Sequence, residues 1–309
     1  TTSTSNTAVT LTTTNGAVTD AGATDVDVVA ASGRLVVDAE NGISLDTTVD
    51  SADLDNNTAN DIDIDETDAL TVIQAINDAD FNVTIVAGTS LTTTGVVSLA
   101  AGGNAGVLTL QAESGDLTIG AAVTNSSANA AANIVLDADG ATSDVSITNA
   151  LISSAQGDIT VTSDDDATFT NGDITATGAG TVTVTANTAG DADGTGGALT
   201  MDNATIFDAG SGNIDLDGDE NITVGSLTTT GALVNIDSTS GGILDGGDDN
   251  TDVLATVALL TINAIAGVGT VGGNGALEIQ VANVDVDNGN PNLANTVESS
   301  GGIFIVEES

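Results

Sequence analysis

The sequence predicts an all-β protein, a parallel β-helix (β-solenoid) whose coils stack into an elongated rod. Three observations predict this fold: short segments of alternating apolar residues, an internal repeat, and a composition suited to a narrow core. At roughly 20 to 24 residues per coil, the chain makes roughly 13 to 15 coils and a rod of order 60 to 70 Å.

The alternating segments share one short unit: a Gly or Asn, one further residue, then apolar residues at every second position. Examples begin at Gly115, Gly157, Gly180, Gly197 and Gly212. Alternation over four to six residues between turn formers is typical of half-buried strands. Residues 69–79 are the one stretch where a short helix and a strand are equally plausible.

The internal repeat extends beyond single strands. Residues 157–169 align without a gap on residues 212–224, which pairs Ile159 with Ile214. The phrase LTTT occurs at Leu11, Leu91 and Leu227, and its separations lie near multiples of about 20 residues, within the range of solenoid repeats. We therefore expect each apolar strand to stack on its own equivalent every second or third element.

The composition is strongly acidic and yet apolar. The 309 residues include 45 Asp and Glu against one basic residue, Arg34, and the formal net charge is -44. Such a charge is typical of disorder, but 40% of the residues are hydrophobic, which favours a folded chain. Nucleic-acid binding is not expected, because it needs Lys and Arg. Membrane insertion is not expected either, because the apolar runs are shorter than the roughly 20 residues that cross a bilayer. The charge favours cations, high salt, or both.

We expect one continuous β-solenoid over residues 1–309, with loop insertions near 50–68, 187–197 and 245–252. A narrow coil interior accommodates Val, Ile, Leu and Ala better than Trp or Tyr, and both of these are absent. Gly, Asn and Asp suit the corners, and proline, which cannot donate a backbone hydrogen bond to the next coil, occurs once.

The residue inventory argues against catalysis. Nucleophilic triads need a His or Lys base, and zinc or haem sites need Cys or His, yet the chain contains none of these. Paired carboxylates remain, as in glycosidases, but pairs arise by chance among so many acids. We expect no enzyme and no catalytic residue; a polysaccharide-active β-helix is a minor alternative.

Calcium is the better chemical hypothesis, because Asp carboxylates and turn carbonyls supply the oxygen ligands that this cation prefers. The clusters lack a complete calcium-binding signature, so a solvated acidic face remains the alternative. We expect Asp215 and Asp217 to point outward on one face, with Ile214 and Leu216 inward. The candidate calcium ligands are Asp215, Asp217 and Asp219; Asp164, Asp165 and Asp166; and Asp245, Asp248 and Asp249, in a cluster with Asp252.

Two other surface patterns carry hypotheses. N-glycosylation sequons begin at Asn56, Asn82, Asn125, Asn203 and Asn221. The LTTT phrases raise the minor alternative of an ice-binding solenoid, although Thr is also an ordinary outward strand residue.

Long phrases of the chain resemble the repeats of filamentous-haemagglutinin-like giant exoproteins. The resemblance is carried by residues 196–247, by 259–286, and by the GGIFIVEES segment at 301–309. It implies a right-handed parallel β-helix on an extracellular or cell-surface protein, used for adhesion or as a fibrous spacer.

The expected partners are further copies or neighbouring repeats of the same protein, and surface glycans. An uncapped coil presents unpaired backbone groups, so we expect the segment to assemble end to end into a filament or stalk. The alternative function is that of an adhesin extender made of tandem β-sandwich domains that calcium rigidifies.

Overall fold

The chain forms a parallel β-solenoid of about 11 turns. The computed structural model describes residues 9–20, 22, 25–187, 196–247, 250–271, 275–288 and 302–307. Strands and their connections make up all of this described part, and no helix in it is long and apolar enough to cross a membrane. The predicted all-β parallel solenoid is confirmed.

The strands follow one another with short connections. The first ten are β1 (Val9–Thr12), β2 (Val18–Thr19), β3 (Val28–Ala39), β4 (Ile43–Asn56), β5 (Ile62–Glu66), β6 (Leu70–Asn77), β7 (Val83–Ala87), β8 (Leu91–Thr93), β9 (Val97–Leu99) and β10 (Leu108–Ala112). The next ten are β11 (Leu117–Ile119), β12 (Val123–Asn125), β13 (Ile134–Ala138), β14 (Val145–Thr148), β15 (Leu151–Ser154), β16 (Ile159–Ser163), β17 (Ala167–Thr170), β18 (Asp173–Ala176), β19 (Val182–Ala186) and β20 (Leu199–Met201). The last nine are β21 (Ile206–Asp208), β22 (Ile214–Gly218), β23 (Ile222–Val224), β24 (Ser226–Thr228), β25 (Leu233–Ser238), β26 (Ile243–Asp245), β27 (Val253–Ala264), β28 (Leu277–Asp287) and β29 (Ile305–Glu307).

Each turn contributes one strand to each of three parallel sheets. In the middle of the rod every strand pairs with the third strand before it and the third after it, as β10 does with β7 and β13. Face 1 contains β5, β7, β10, β13, β16, β19, β22 and β25; face 2 contains β8, β11, β14, β17, β20, β23 and β26; face 3 contains β9, β12, β15, β18, β21 and β24. Towards the ends, the longer β3, β4, β6, β27 and β28 run over more than one face, with register shifts at the corners.

Equivalent apolar residues stack in columns inside the coil. On face 1 one column runs through Val83, Leu108, Ile134, Ile159 and Val182, and all five side chains are fully buried. Burying such a side chain contributes about 1.5 to 3 kcal/mol, so the repeated column is the main stabilising feature of the rod. Two further buried side chains, Phe169 on face 2 and Phe207 on face 3, meet edge to face.

One corner of the solenoid is a column of glycines. A Cβ built on Gly180 lies 2.1 Å from the carbonyl oxygen of Gly157, and one built on Gly212 lies 2.0 Å from that of Gly180. Successive backbones therefore approach too closely for any side chain. This explains why the repeating unit so often begins with Gly.

The structure corrects several details. Residues that pair one turn apart are separated by 17 residues for Leu35 and Ala52 and by as many as 35 residues for Val268 and Ile303, so about 11 turns form instead of 13 to 15. At about 4.8 Å per turn the rod is therefore about 50 Å long. Residues 69–79 contain strand β6, not a helix. Ile159 and Ile214 share one column two turns apart, as the repeat predicts.

The predicted loop at 50–68 is wrong for most of its length, because β4 and β5 cover all but residues 57–61 and two residues after β5. Alternating buried apolar residues form these strands, although the segment is rich in Asp. The predicted loop at 245–252 agrees with the connection between β26 and β27, in which 248–249 lie outside the described residues. Of the loop at 187–197, residues 188–195 also lie outside them.

Candidate functional site

The acidic surface has almost no internal charge balance. Arg34, the chain's single basic residue, forms an ion pair with Asp53 of β4 near the N-terminal end. All other carboxylates must be stabilised by polar hydrogens, by water, by protons or by ions from solution. Because like charges at short range repel strongly, the close carboxylates are the places to look for bound cations.

Asp215 and Asp217 lie on the outer surface of β22, while Ile214 and Leu216 are fully buried, which confirms the predicted alternation. The Nδ2 of Asn235 donates to Oδ1 of Asp215 at 2.8 Å. Burial first, and then the nearby charges of Asp215 and Asp237, raise the pKa of Asp217 to about 6.

A cavity of about 410 Å³ opens beside these residues. Its lining includes Asp217, Asp219, Asp237 and Thr239, and the Thr239 hydroxyl donates to Asp219. However, in the described part of the chain, the groups of three carboxylates whose oxygens lie within 4.8 Å of one another do not include Asp215, Asp217 or Asp219. The three predicted ligands therefore lie along the outer surface beside a polar cavity. Their carboxylate oxygens do not come together as a group of three within 4.8 Å.

Many other Asp and Asn residues form hydrogen bonds that stabilise the corners between strands. An Asp or Asn directly before a strand accepts a hydrogen bond from a backbone N–H of the following turn. The N–H of Thr181, for example, donates to Oδ1 of Asp158 at 2.8 Å, and the N–H of Ala198 donates to Oδ1 of Asp166 at 2.9 Å. These acceptors are Asp61, Asn82, Asn133, Asp158 and Asn213 before face 1 strands, and Asp116, Asp144, Asp166 and Asn221 before face 2 strands. We call this set the Asx ladder.

One carboxylate group with metal-binding spacing lies on this ladder. Asp144, Asp165 and Asp166 place one oxygen each within 4.8 Å of the others, and all three are half-buried. Burial, followed by the charges of Asp116 and Asp166, raises the pKa of Asp144, although the N–H of Asp166 has the opposite effect. Asp164 is not a member of this group, and its Oδ2 accepts a hydrogen bond from the N–H of Gly140 at 2.7 Å.

The second group lies near the C-terminal end and is more deeply buried. Asp245 ends β26, Asp252 precedes β27, and Glu278 belongs to β28, with one oxygen of each within 4.8 Å of the others. Asp252 is 3% exposed and Glu278 is 8% exposed. Asp248 and Asp249, predicted as ligands here, lie outside the described residues.

The electrostatics of this second group are unfavourable without a counter-charge. Burial raises the pKa of Asp252 to about 8. The charges of Asp245 and Glu278, and a side-chain hydrogen bond with Glu278, also raise this pKa. The N–H of Glu278, which donates to Oδ2 of Asp252 at 2.8 Å, acts against them. Three carboxylates in this arrangement require neutralisation by protons or by a cation.

Sequence reasoning missed Asp144 and Glu278. Each is one turn away from a predicted or neighbouring acid: Asp144 accepts from the N–H of Asp166, and the N–H of Asp252 donates to the carbonyl of Glu278. For Asp144 the available signal was its position directly before a strand. Which acid it meets one turn later, however, depends on the length of every turn.

The five sequons divide into two classes. Asn56 is fully buried and Asn125 is 1% exposed, and the Nδ2 of Asn125 donates to the carbonyls of Gly106, Ala132 and Asn133. These two side chains close the corner between face 3 and face 1. Asn82 is half-buried, whereas Asn203 and Asn221 are exposed, so the latter two are the better placed for modification.

The LTTT phrases do not form one surface. Leu91 lies on face 2, whereas Leu11 and Leu227 lie in β1 and β24 at distant positions. Face 2 nevertheless has a continuous outward column of hydroxyl residues on consecutive turns. Its members are Thr71, Thr92, Thr118, Ser146, Thr168, Thr200 and Thr223.

Comparisons with known proteins add no family to this description. No protein-family model, no curated protein and no solved structure matches the chain.

Proposed function

We propose that this chain is a non-enzymatic structural or adhesive segment of an extracellular fibrous protein, stabilised by cations or salt. The observation that supports this proposal is the parallel stack of about 11 turns, in which an apolar core carries a surface whose charged residues are all acidic except Arg34. Because each turn contacts only its neighbours, the stack is elongated. An elongated rod can separate or present the parts that are attached to it.

The alternative of tandem β-sandwich domains is wrong for the described residues. Their strand pairings are parallel and run continuously from β1 to β29, whereas β-sandwiches pair antiparallel strands. An extender role remains part of the proposal, with the solenoid as its architecture.

The group of Asp245, Asp252 and Glu278 is the proposed calcium site. Its carboxylates come from the end of β26, the residue before β27 and the start of β28, so a bound cation would join the last turns of the rod. Oxygen ligands of this kind suit Ca²⁺, and the cation would supply the counter-charge that the chain itself lacks.

Thermal unfolding with and without Ca²⁺ tests this site. At about 100 times its Kd, calcium adds about 2.7 kcal/mol to the free energy of unfolding of the turns that it joins. Asp252→Asn and Glu278→Gln should each remove this increment, and the exposed Asp50→Asn should retain it. An equal calcium response in all variants, reproduced by NaCl at the same ionic strength, would show screening without a site.

The extracellular role is tested on intact cells of the source organism. Protease treatment of whole cells should remove antibody signal for this chain, and the purified rod should bind cell surfaces or glycans. Protection of the chain until the cells are lysed would contradict the proposed localisation.

The hydroxyl column on face 2 favours one second candidate, ordering of ice-like water. Inhibition of ice recrystallisation measures it, and Thr168→Lys in the column should abolish the effect. Thr160→Lys on face 1 is the matched control. Recrystallisation at the rate of buffer alone for the parent chain would exclude this function.

A further inference from the structure

One corner of the rod, between face 3 and face 1, contains a buried carboxylate that reaches across a whole turn. Asp80 lies between β6 and β7, Gly102 lies one turn later between β9 and β10, and Ser127 lies a further turn on, between β12 and β13. Asp80 is 6% exposed and Ser127 is 1% exposed. The Ser127 hydroxyl nevertheless lies 3.0 Å from Oδ2 of Asp80, 47 positions away in the sequence.

The glycine of the middle turn makes this reach possible. A Cβ built on Gly102 lies 2.3 Å from the Cβ of Asp80 and 2.6 Å from its Oδ2. The side chain of Asp80 therefore occupies the space that any larger residue at position 102 would need. Its carboxylate passes the middle turn and meets the turn beyond it.

The oxygens at this corner outnumber the hydrogens that can bind them. The Ser127 hydroxyl has one hydrogen, and two acceptors lie within its reach: Oδ2 of Asp80 at 3.0 Å and the carbonyl oxygen of Asn104 at 2.8 Å. The second carboxylate oxygen, Oδ1 of Asp80, is buried and meets no hydrogen-bond donor among the described residues. A buried carboxylate in such surroundings costs free energy unless a counter-charge compensates it.

The counter-charge has to come from solution. Arg34, the single basic residue of the chain, is paired with Asp53. The groups around Ser127 are all oxygens, which is the ligand type that Ca²⁺ prefers. Two oxygens that each lie about 2.4 Å from one Ca²⁺ are roughly 3 Å apart. The distances of 2.8 and 3.0 Å from the Ser127 hydroxyl oxygen agree with this spacing.

We propose that Asp80, Asn104 and Ser127 form a second calcium site, through the carboxylate, the backbone carbonyl oxygen and the hydroxyl oxygen respectively. The bound ion joins three successive turns in the N-terminal half of the rod, far along the chain from the proposed site at Asp252. Residues 103–105 are exposed, so an ion can reach the corner from solution. The inference rests on the proposed stabilisation of the rod by cations and names a further place where it acts.

Hydrogen exchange of the whole chain, followed by mass spectrometry, tests this corner separately from other sites. The reporter is the N–H of Ala128, which donates to the carbonyl of Gly102 at 3.0 Å. With CaCl₂ at about ten times the Kd of the ion, exchange through openings that release the ion should slow about tenfold. Asp80→Asn and Ser127→Ala should each abolish this slowing. Asp78→Asn, which changes an exposed acid of the same corner by the same charge, should retain it.

Circular dichroism without calcium shows that each variant is folded before exchange is compared. Absence of calcium-dependent slowing at Ala128 in the parent chain would overturn the inference. Slowing of the same size in NaCl at equal ionic strength, or in Asp80→Asn, would also overturn it. MgCl₂ should protect Ala128 less than CaCl₂, because Mg²⁺ releases its water ligands reluctantly.

The two calcium sites fail independently in this experiment. Asp252→Asn should retain the slowing at Ala128 and lose any calcium response in peptides that contain Glu278. A response at Glu278 without one at Ala128 would refute the second site and leave the first intact. The reverse pattern would support the second site and refute the one near the C-terminal end.

Discussion

The rings of Phe169 and Phe207 meet edge to face, with centroids 4.8 Å apart and an interplanar angle of 80°. Phe169 extends the face 2 column between Ile147 and Met201, and Phe207 extends the face 3 column after Ile174. The pair is therefore a contact between two sheets at one level of the rod.

Truncation of either ring should destabilise the rod strongly. Phe169→Ala should cost about 3 to 5 kcal/mol, because it removes apolar contacts and leaves a cavity. A double-mutant cycle with Phe207→Ala should give a coupling of about 0.5 to 1.5 kcal/mol for the ring pair. Phe169→Leu should cost less than Phe169→Ala in the same denaturant experiment. Equal costs for the two substitutions would contradict tight packing at this level.

Loss of one member of the Asx ladder should also destabilise the rod. Asp158→Ala leaves the N–H of Thr181 without its acceptor, at a cost of about 1 to 3 kcal/mol. Asp158→Asn retains a side-chain oxygen and should cost much less. Chemical denaturation of the two variants compares these values. If Asn were as damaging as Ala, the negative charge and not the hydrogen bond would be the important property.

The two classes of sequon predict opposite responses to the same substitution. Asn125→Ala should cost about 1 to 3 kcal/mol, since carbonyls buried at the corner lose their donor. Asn203→Ala, on an exposed side chain, should change stability by less than about 0.5 kcal/mol. Thermal melting of both variants is the measurement. A neutral Asn125→Ala would show that water readily replaces this side chain.

Stability should fall as the pH rises from about 4 to about 8. Burial raises the pKa of several carboxyl groups above the ordinary value, so the folded chain binds more protons than the unfolded chain. The groups with raised pKa values are Asp46, Asp55, Asp63, Glu66, Asp137, Asp144, Asp217 and Asp252; that of Asp202 is lowered. For Asp217 the stability is present below its ordinary pKa of 3.8 and is lost as the pH passes about 6; for Asp252 it is lost towards about 8.

Melting temperature against pH, at constant ionic strength, checks this sign. Asp217→Asn should flatten the curve below about pH 6, and Asp252→Asn should flatten it up to about pH 8. Asp50→Asn serves as the exposed control. A melting temperature that increased with pH across this window would contradict the prediction.

Local features of the fold were predictable because a strand has a period of two. Ile214 and Leu216 inside, with Asp215 and Asp217 outside, follow from that period alone. Asp245 and Asp252 were predicted in one cluster, but the addition of Glu278 was not predictable, because it depends on which residues meet one turn apart. Because the turns vary from 17 to 35 residues, a fixed repeat length does not predict that register.

The Asx ladder has a direction. In every described pair the side-chain oxygen belongs to the earlier turn and the N–H to the later one, as for Asp61 with Asn82 and Asn133 with Asp158. A turn that has already formed thus presents acceptors in place for the residues that emerge next, whether from a ribosome or through a secretion pore. Folding that starts from the N-terminal end finds a prepared surface at each step, so a long rod of this type suits assembly in the order in which its chain appears.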